Sequence, residues 1–456
     1  MSDHKAHLAQ GSLGAVGSFV MAIGGTAPAF SVAVASAAII TEAGVFSVAS
    51  VFYCGLIMIG LVLAFANLGK SHPNAGASYT WVSAIFSPFL GFLTGWCLLL
   101  SSVIFMAAAT VPAATSTLML VAPHYVDNTY IVSLVSAFWL SLITLVVIKG
   151  AKFAYIIQLS MLMTEIIIIT SIITCGLYFH VDHPAHLPEL TWILPLSISF
   201  KTFSASAMLA LFLYWGWDVT MSLGEETKSG KSELGAISSI IGLILFFTVM
   251  ISVVLVVLTD EEILKSSSNI LFAVAEKIFP KPWSYIAILC TLLSTIGTIE
   301  AQIVQFSRCL FAMSRDQLLP TALSEIHPKW QTPWIATLVI WCLGLLVILA
   351  TSFLPSVNEI LKASISAIGL QICLYMSLTA TASAWHYRKM IHYSLSEAVI
   401  YVLWPAFGAL CMILVGLASL FTTDLYSTLI GISAILFGIG IYFMKINLID
   451  TKYIRS

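Results

Sequence analysis

The sequence predicts an all-α polytopic membrane protein with twelve transmembrane helices. Three observations predict it. Of 456 residues, 59% are hydrophobic and 9% are charged, whereas a soluble domain carries about 25% charged residues. Twelve apolar segments approach or exceed the roughly 20 residues that cross a bilayer. The basic residues between those segments fall unequally on alternate sides. The net charge of −2 gives no reason to expect nucleic acid or an acidic membrane surface as a partner. The expected surrounding is the lipid bilayer itself.

Spans 1 to 6 lie near residues 12–41, 44–68, 88–120, 129–148, 153–179 and 199–224. Spans 7 to 12 lie near 235–259, 283–313, 333–352, 357–385, 396–421 and 424–445. Span 1 contains the A-x-A-like run AVASAA, but it is about twice the length of a signal-peptide core and reads as a retained helix. With the N-terminus in the cytoplasm, fourteen basic residues fall inside: Lys5, Lys70, Lys149, Lys152, Lys228, Lys231, Arg308, Arg315, Lys329, Arg388, Lys389, Lys445, Lys452 and Arg455. Five fall outside: Lys201, Lys265, Lys277, Lys281 and Lys362. Positive residues favour the cytoplasmic side, so both termini are expected there, with the chain in a plasma membrane (the inner membrane of a bacterium). The connections are too short for a soluble domain. The stretch Asn269 to Phe279, NILFAVAEKIF, reads as a short amphipathic helix on the outer surface.

Two spans contain anomalies. Span 1 carries AIGGTAPAF, Ala22 to Phe30, with Gly24, Gly25 and Pro28 near mid-membrane. A broken backbone in hydrocarbon is tolerated only where it is buried in protein or lines a cavity. Pro28 can open a new half-helix, because the first turn does not use the missing N–H. The positive end of that half-helix would then face the midplane and suit a carboxylate. The bland alternative is that Gly and Pro are common in membrane helices, where neighbours repair the backbone. Span 6 carries LYWGWDVT, Leu213 to Thr220, with Gly216 between two Trp residues and Asp218 after them. Spans 1 and 6 open two five-helix units, 12–179 and 199–386, and an odd helix number gives the units opposite topology. Residues 396–445 hold two extra helices; 1–11 and 446–456 are tails.

Four motifs resemble the amino acid–polyamine–organocation superfamily of permeases. They are GGTAPAF in span 1, HPNAGASYTW (His72 to Trp81), YWGWDVTMSLGEET (Tyr214 to Thr227) and SRCLFAMSRDQLLP (Ser307 to Pro320). The resemblance covers most of the chain. It implies the 5+5 inverted repeat first seen in the leucine transporter, with spans 1 and 6 discontinuous at the substrate. It also implies secondary transport of amino acids or related amines. Substrate-binding candidates are Ala22, Ile23, Gly24, Gly25, Thr26, Ala27, Tyr214, Trp215, Gly216 and Trp217. On this expectation a substrate carboxylate meets N–H groups around Gly24 to Ala27. Its ammonium meets carbonyls of Ala22, Ile23, Tyr214 and Trp215.

Three acids fall inside predicted spans: Glu165, Asp218 and Glu300. Acids there cost at least about 2.5–3.5 kcal/mol on insertion scales and usually mark ion or substrate pathways. They are candidates for proton coupling; the alternative for each is a structural hydrogen bond. Many members of the resembling superfamily carry a Lys at the place that Glu165 takes, between spans 1, 5 and 8, so a carboxylate reverses the charge. Glu225 and Glu226 read as a salt-bridge patch beside Lys228 and Lys231, and Arg308, Arg315 and Asp316 as a loop anchor. The eight Cys show neither a CxxC pair nor metal-ligand spacing and read as small buried residues, so neither metal nor cofactor is implied. GFLTG (Gly91 to Gly95) fits close helix packing. GSLGAVG (Gly11 to Gly17) follows no strand and so fails as a phosphate loop. The leading expectation is a proton-coupled amino-acid permease. Rivals are an amine, polyamine or cation carrier, an amino-acid exchanger, and a sensor that binds without transport. HExxH, GxSxG and paired-His patterns are missing from the sequence, which argues against an enzyme.

Overall fold

The computed structural model describes residues 8–194, 198–266, 269–354, 356–422 and 425–454. A helix stands at each predicted span. Span 1 is two helices, α1 (Ala15–Thr26) and α2 (Pro28–Ala43). Span 2 is α3 (Ser47–Ser71), and a short α4 (Ser78–Ile85) follows it. Spans 3 to 5 are α5 (Pro88–Val121), α6 (Thr129–Ile148) and α7 (Ala151–His180). Span 6 is again two pieces, α8 (Phe200–Leu213) and α9 (Val219–Ser222). Span 7 is α10 (Lys231–Val257), followed by α11 (Asp260–Lys265) and the expected amphipathic helix, α12 (Ile270–Ile278). Spans 8 to 10 are α13 (Ile286–Arg315), α14 (Trp334–Thr351) and α15 (Val357–His386). Span 11 holds α16 (Leu395–Ala398) and α17 (Trp404–Thr422). Span 12 is α18 (Leu425–Ile454), which runs past the expected end at 445.

Among the described residues, eight helical stretches have the length and hydropathy to cross a membrane, the first being Ala15–Ser71 with spans 1 and 2 together. Spans 6, 10 and 12 are outside that set; span 6 is so because its pieces are short, which is itself the feature expected of it. Lys5 and Arg455 lie outside the described residues, as do the side chains of Lys201, Lys362, Lys445 and Lys452.

Burial sorts the helices into an inner group and an outer group. In the most apolar part of α5, 83% of residues are buried; in α14 the share is 28%. The outer helices turn large apolar side chains outward, among them Phe138 on α6, Ile167 on α7, Leu346 on α14 and Phe437 on α18. A surface this apolar would aggregate in water and fits hydrocarbon. The chain is an integral membrane protein. Five cysteines are buried as expected, but Cys342 is exposed on α14. On the inner helices small residues such as Ala22, Ala29, Ala33 and Ser36 are buried, which lets backbones approach closely.

Three of the four motifs meet at one end of the bundle. Arg308 on α13 and Glu226, just past α9, are both 0% exposed and pair at 2.8 Å (Nε–Oε1) and 3.2 Å (Nη2–Oε2). Arg308 also donates to the Ser307 hydroxyl at 3.2 Å. The neighbouring Glu225 accepts from Arg315 at 2.9 Å and from the Ala75 N–H at 2.9 Å. Tyr79 donates to Asp316 at 2.8 Å. The chain just before α1 closes over this cluster: Leu13 N–H donates to the Glu226 carbonyl at 3.3 Å and the Lys228 N–H to the Leu13 carbonyl at 3.0 Å. Two expectations are corrected here. The glutamates pair with Arg308 and Arg315 instead of Lys228 and Lys231. Arg308 is a buried helix residue and not a loop residue, because a bidentate carboxylate can satisfy a guanidinium in the interior.

Removing one partner of a buried pair leaves an uncompensated charge. Arg308→Met is expected to lower stability by about 3–5 kcal/mol, read as thermal unfolding of the detergent-purified protein. The double variant Arg308→Met, Glu226→Leu is expected to recover most of the loss.

Candidate functional site

The break in span 1 falls at Ala27, which has φ 50° and ψ 68° and serves as the end of α1 and the start of α2. A left-handed alanine costs about 1–2 kcal/mol, so its surroundings must hold it. Pro28 follows as the first residue of α2, where its missing N–H is not needed. The backbone groups freed by the break find side chains. The Gly25 carbonyl accepts from the Thr298 hydroxyl at 2.6 Å and from Gln302 Nε2 at 3.5 Å, both on α13. The Thr26 carbonyl accepts from the Ser31 hydroxyl at 2.9 Å. The Ala29 N–H donates to Glu165 Oε1 at 2.9 Å, and the Phe30 N–H to the Ser294 hydroxyl at 3.3 Å.

This corrects which groups point to the midplane. The helix runs through Gly24 and Gly25 to Thr26, so their N–H groups lie within α1, and the Ala27 N–H donates to the Ile23 and Gly24 carbonyls. The Ala22 carbonyl accepts from the Thr26 hydroxyl at 3.1 Å. The positive end of α2 begins two residues after the break, at Ala29, and the acid it holds is the chain's own Glu165.

Span 6 breaks between Leu213 and Val219. Gly216 has φ 110°, a conformation that side chains resist. The two breaks meet. A Cβ on Gly25 would strike the Gly216 carbonyl, and a Cβ on Gly216 would strike that of Gly25. The glycines of span 1 therefore give room for a close backbone approach, while only Gly216 uses its conformational freedom. Gly24 admits the Gln158 side chain from α7, which also lies against Gly297 of α13.

The aromatic candidates separate. Trp215 packs edge-on to Phe105 of α5 at 5.0 Å and donates to the Tyr375 hydroxyl of α15 at 2.7 Å. Tyr214 turns away, donating to the Val51 carbonyl at 3.0 Å. Trp217 packs edge-on to Phe65 of α3 at 5.1 Å. The three acids also separate. Glu165, 4% exposed, accepts from Ser294 at 2.9 Å and lines a cavity of about 210 Å³ with Ile23, Pro28, Leu162 and Phe246. Asp218 accepts from Gln305 at 2.7 Å and Tyr375 at 3.1 Å. Glu300 is buried on α13, but at about 100° per residue it lies about 200° around the helix from Thr298. It belongs to a different face from the residues that hold the break.

The profile of a family described as "Amino acid permease" matches residues 13–447. The chain belongs to the amino acid permease family. This permease is 25% identical over 313 residues to the "Serine/threonine exchanger SteT" of Bacillus subtilis (strain 168), covering 65% of the permease and 67% of that protein. It is 25% identical over 321 residues to the "Branched-chain amino acid permease BcaP" of the same organism, covering 66% and 65%. It is 27% identical over 310 residues to "Large neutral amino acids transporter small subunit 2" of Mus musculus, covering 65% of the permease and 56% of that protein.

Sequence reasoning missed much of the wall around the permease's two breaks. Thr291, Ser294, Thr295, Thr298, Gln302 and Gln305 are all buried on α13. Their spacing of three, one, three, four and three makes a polar stripe on one helix face. That signal was readable in span 8. Tyr375 lies in a similar run on α15, with Gln371, Thr379 and Ser383 buried at intervals of four, whereas Phe105, itself apolar, and Gln158 gave no such signal.

Gly25→Val is expected to force α1 from Gly216 and lower stability by about 1–3 kcal/mol, the usual cost of overpacking. Gly440→Ala meets nothing within 4 Å and is expected to leave thermal unfolding unchanged, which makes it the control.

Proposed function

We propose that this permease is a secondary transporter of amino acids that works by alternating access and is driven by a proton. The observation that carries the reading is the contact of Gly25 with Gly216, where two broken spans meet backbone to backbone inside the bundle. Few folds place irregular backbone at membrane depth without a use for it. The names of the relatives, a serine/threonine exchanger and a branched-chain amino acid permease, support an α-amino acid as the cargo. The proposed contacts are the backbone of Ala22 to Ala27 and of Tyr214 to Trp217, since the Tyr214 and Trp217 rings turn to α3, with Phe105, Thr298, Gln302 and Tyr375 joining them. The units 12–179 and 199–386 are proposed as inverted repeats rocking about this contact. Both termini are placed in the cytoplasm of a plasma-membrane protein. The Glu226–Arg308 end is then the inner gate.

Glu165 is the proposed proton carrier. Its carboxylate takes the Ala29 N–H and the Ser294 hydroxyl, one group from span 1 and one from span 8. Ionised, it is acceptor only; protonated, one oxygen becomes a donor. Both bonds end on Oε1, so protonation of Oε2 keeps them but removes the charge that strengthens them, which loosens the hold on α2 at the break. The cavity beside Glu165 gives the α1–α2 joint space to move. Exchange of two amino acids without a proton is the second reading, favoured by the name of the exchanger relative.

Uphill uptake into liposomes with an imposed pH gradient tests both. Glu165→Gln mimics the protonated state and is expected to abolish accumulation while leaving counterflow exchange. Asp218→Asn is expected to keep its pH dependence. Accumulation by Glu165→Gln with unchanged pH dependence would show that Glu165 is structural. Counterflow by the wild type without any response to the gradient would establish the exchanger.

A further inference from the structure

Two connections that are distant in the sequence are tied together at the end of the bundle that carries Arg308. They are the chain where α3 ends and the chain that leads from α15 into α16. The Tyr387 hydroxyl donates to the Asn67 carbonyl at 2.9 Å and lies against the Ser71 hydroxyl. Asn67 donates to the Ile400 carbonyl at 3.2 Å. The tie brings His72, just past α3, edge-on to His386, the last residue of α15, with ring centroids 5.7 Å apart.

It also gathers positive charge. Residues 67–75 and 385–397 hold Lys70, His72, His386, Arg388, Lys389 and His392 against one acid, Glu397. Lys70, Arg388 and Lys389 are exposed and have no carboxylate partner among the described residues. Two further acids stand near and are occupied elsewhere. Glu225 pairs with Arg315, and Glu233 is buried against Gly69. The Arg388 guanidinium sits over the Trp385 ring at 4.5 Å and donates to the Trp385 carbonyl at 2.8 Å. That fixes the group while leaving most of its five donors free. The imidazoles of His72 and His386 have no hydrogen-bond partner among the described residues. Partial burial, then His72 and Arg388, hold the His386 ring below its usual pKa. Positive groups are thus crowded together without an anion between them.

The flank of this cluster is apolar. Trp385, Ile391, Tyr393 and Leu395 are large and exposed, and Leu403, Phe407 and Leu410 continue the exposed apolar surface along span 11. Trp and Tyr at the end of a span mark the level of the lipid headgroups.

We propose that His72, His386, Arg388 and Lys389 bind the phosphate of an anionic phospholipid whose acyl chains lie along span 11. A fixed guanidinium suits phosphate oxygens, and basic side chains beside a span attract anionic lipid. A metal ion is a poor occupant. Among the described residues no group of three His, Cys, Asp or Glu is placed to hold one, and Arg388 would repel it. An acidic protein segment would match the charge but would not use the apolar flank.

Native mass spectrometry of the detergent-purified full-length protein tests this, with phosphatidylglycerol, phosphatidylcholine of the same chains, and inorganic phosphate as probes. The wild type is expected to hold phosphatidylglycerol at least tenfold more tightly than phosphatidylcholine. The double variant Arg388→Gln, Lys389→Gln is expected to lose that preference by roughly tenfold or more, since each basic residue near the surface contributes about fivefold. Lys228→Gln, Lys231→Gln removes two exposed charges at the same end but outside the cluster, and is expected to keep the preference. Thermal unfolding shows that both variants are folded. Equal retention of the two lipids by the wild type overturns the proposal. Equal loss in the two double variants does so as well, because it shows a diffuse field and not a site. Displacement of phosphatidylglycerol by millimolar inorganic phosphate would assign the cluster to a free anion. Displacement by a glutamate-rich peptide would assign it to a protein. Either result overturns the lipid.

Discussion

A helix can be broken inside a membrane only if other helices complete its hydrogen bonds, and the centre of this molecule is arranged around that requirement. The Gly25 carbonyl depends on Thr298 and Gln302; the Ala29 and Phe30 N–H groups depend on Glu165 and Ser294. α13 supplies three of those four side chains and α7 the fourth. In lipid each unsatisfied group would cost several kcal/mol. The polar stripe of α13 is therefore the support of the break and, on the proposed function, also the lining of the substrate site. Support and binding are in competition, since a ligand that takes a backbone group must displace a side chain from it.

Glycine contributes to the site in two distinct ways. At Gly216 it permits a φ of 110°. At Gly24 and Gly25 it permits proximity, to Gln158 in one case and to Gly216 in the other. Contact between two backbones involves little side-chain packing, so parting them forfeits little dispersion energy. The end that carries Arg308 and Glu226 is held differently. There, a buried ion pair and a pair of backbone hydrogen bonds must be broken together. The structure is thus lightly joined at its centre and firmly joined at the end that carries Arg308 and Glu226.

Much of this was legible in the sequence. Length and hydropathy located the twelve spans, because the bilayer imposes a fixed length on each. The Gly/Pro cluster and the Trp-Gly-Trp run located both breaks, because few residues suit an interrupted backbone. What the sequence concealed was direction. Whether Glu165 faces lipid or α2, and whether Tyr214 faces the site or α3, depends on how each helix is rotated. Rotation is set by packing partners far along the chain, such as Val51 for Tyr214 and Ser294 for Glu165. The pairing of Glu226 with Arg308 was hidden for the same reason: they are 82 residues apart, while Lys228 and Lys231 lie close by in sequence.

The pairing of Leu13 with residues 226–228 has a mechanical consequence. Span 1 and span 6 touch at mid-depth through Gly25 and Gly216, and they are fastened again where the chain enters α1. A light contact at the centre and a hydrogen-bonded fastening at the end restrict the freedom of either rod to swing by itself. On the proposed alternating access, the half of span 1 before Ala27 and the lower part of span 6 would move as a single lever, and whatever releases one rod at that end must release both.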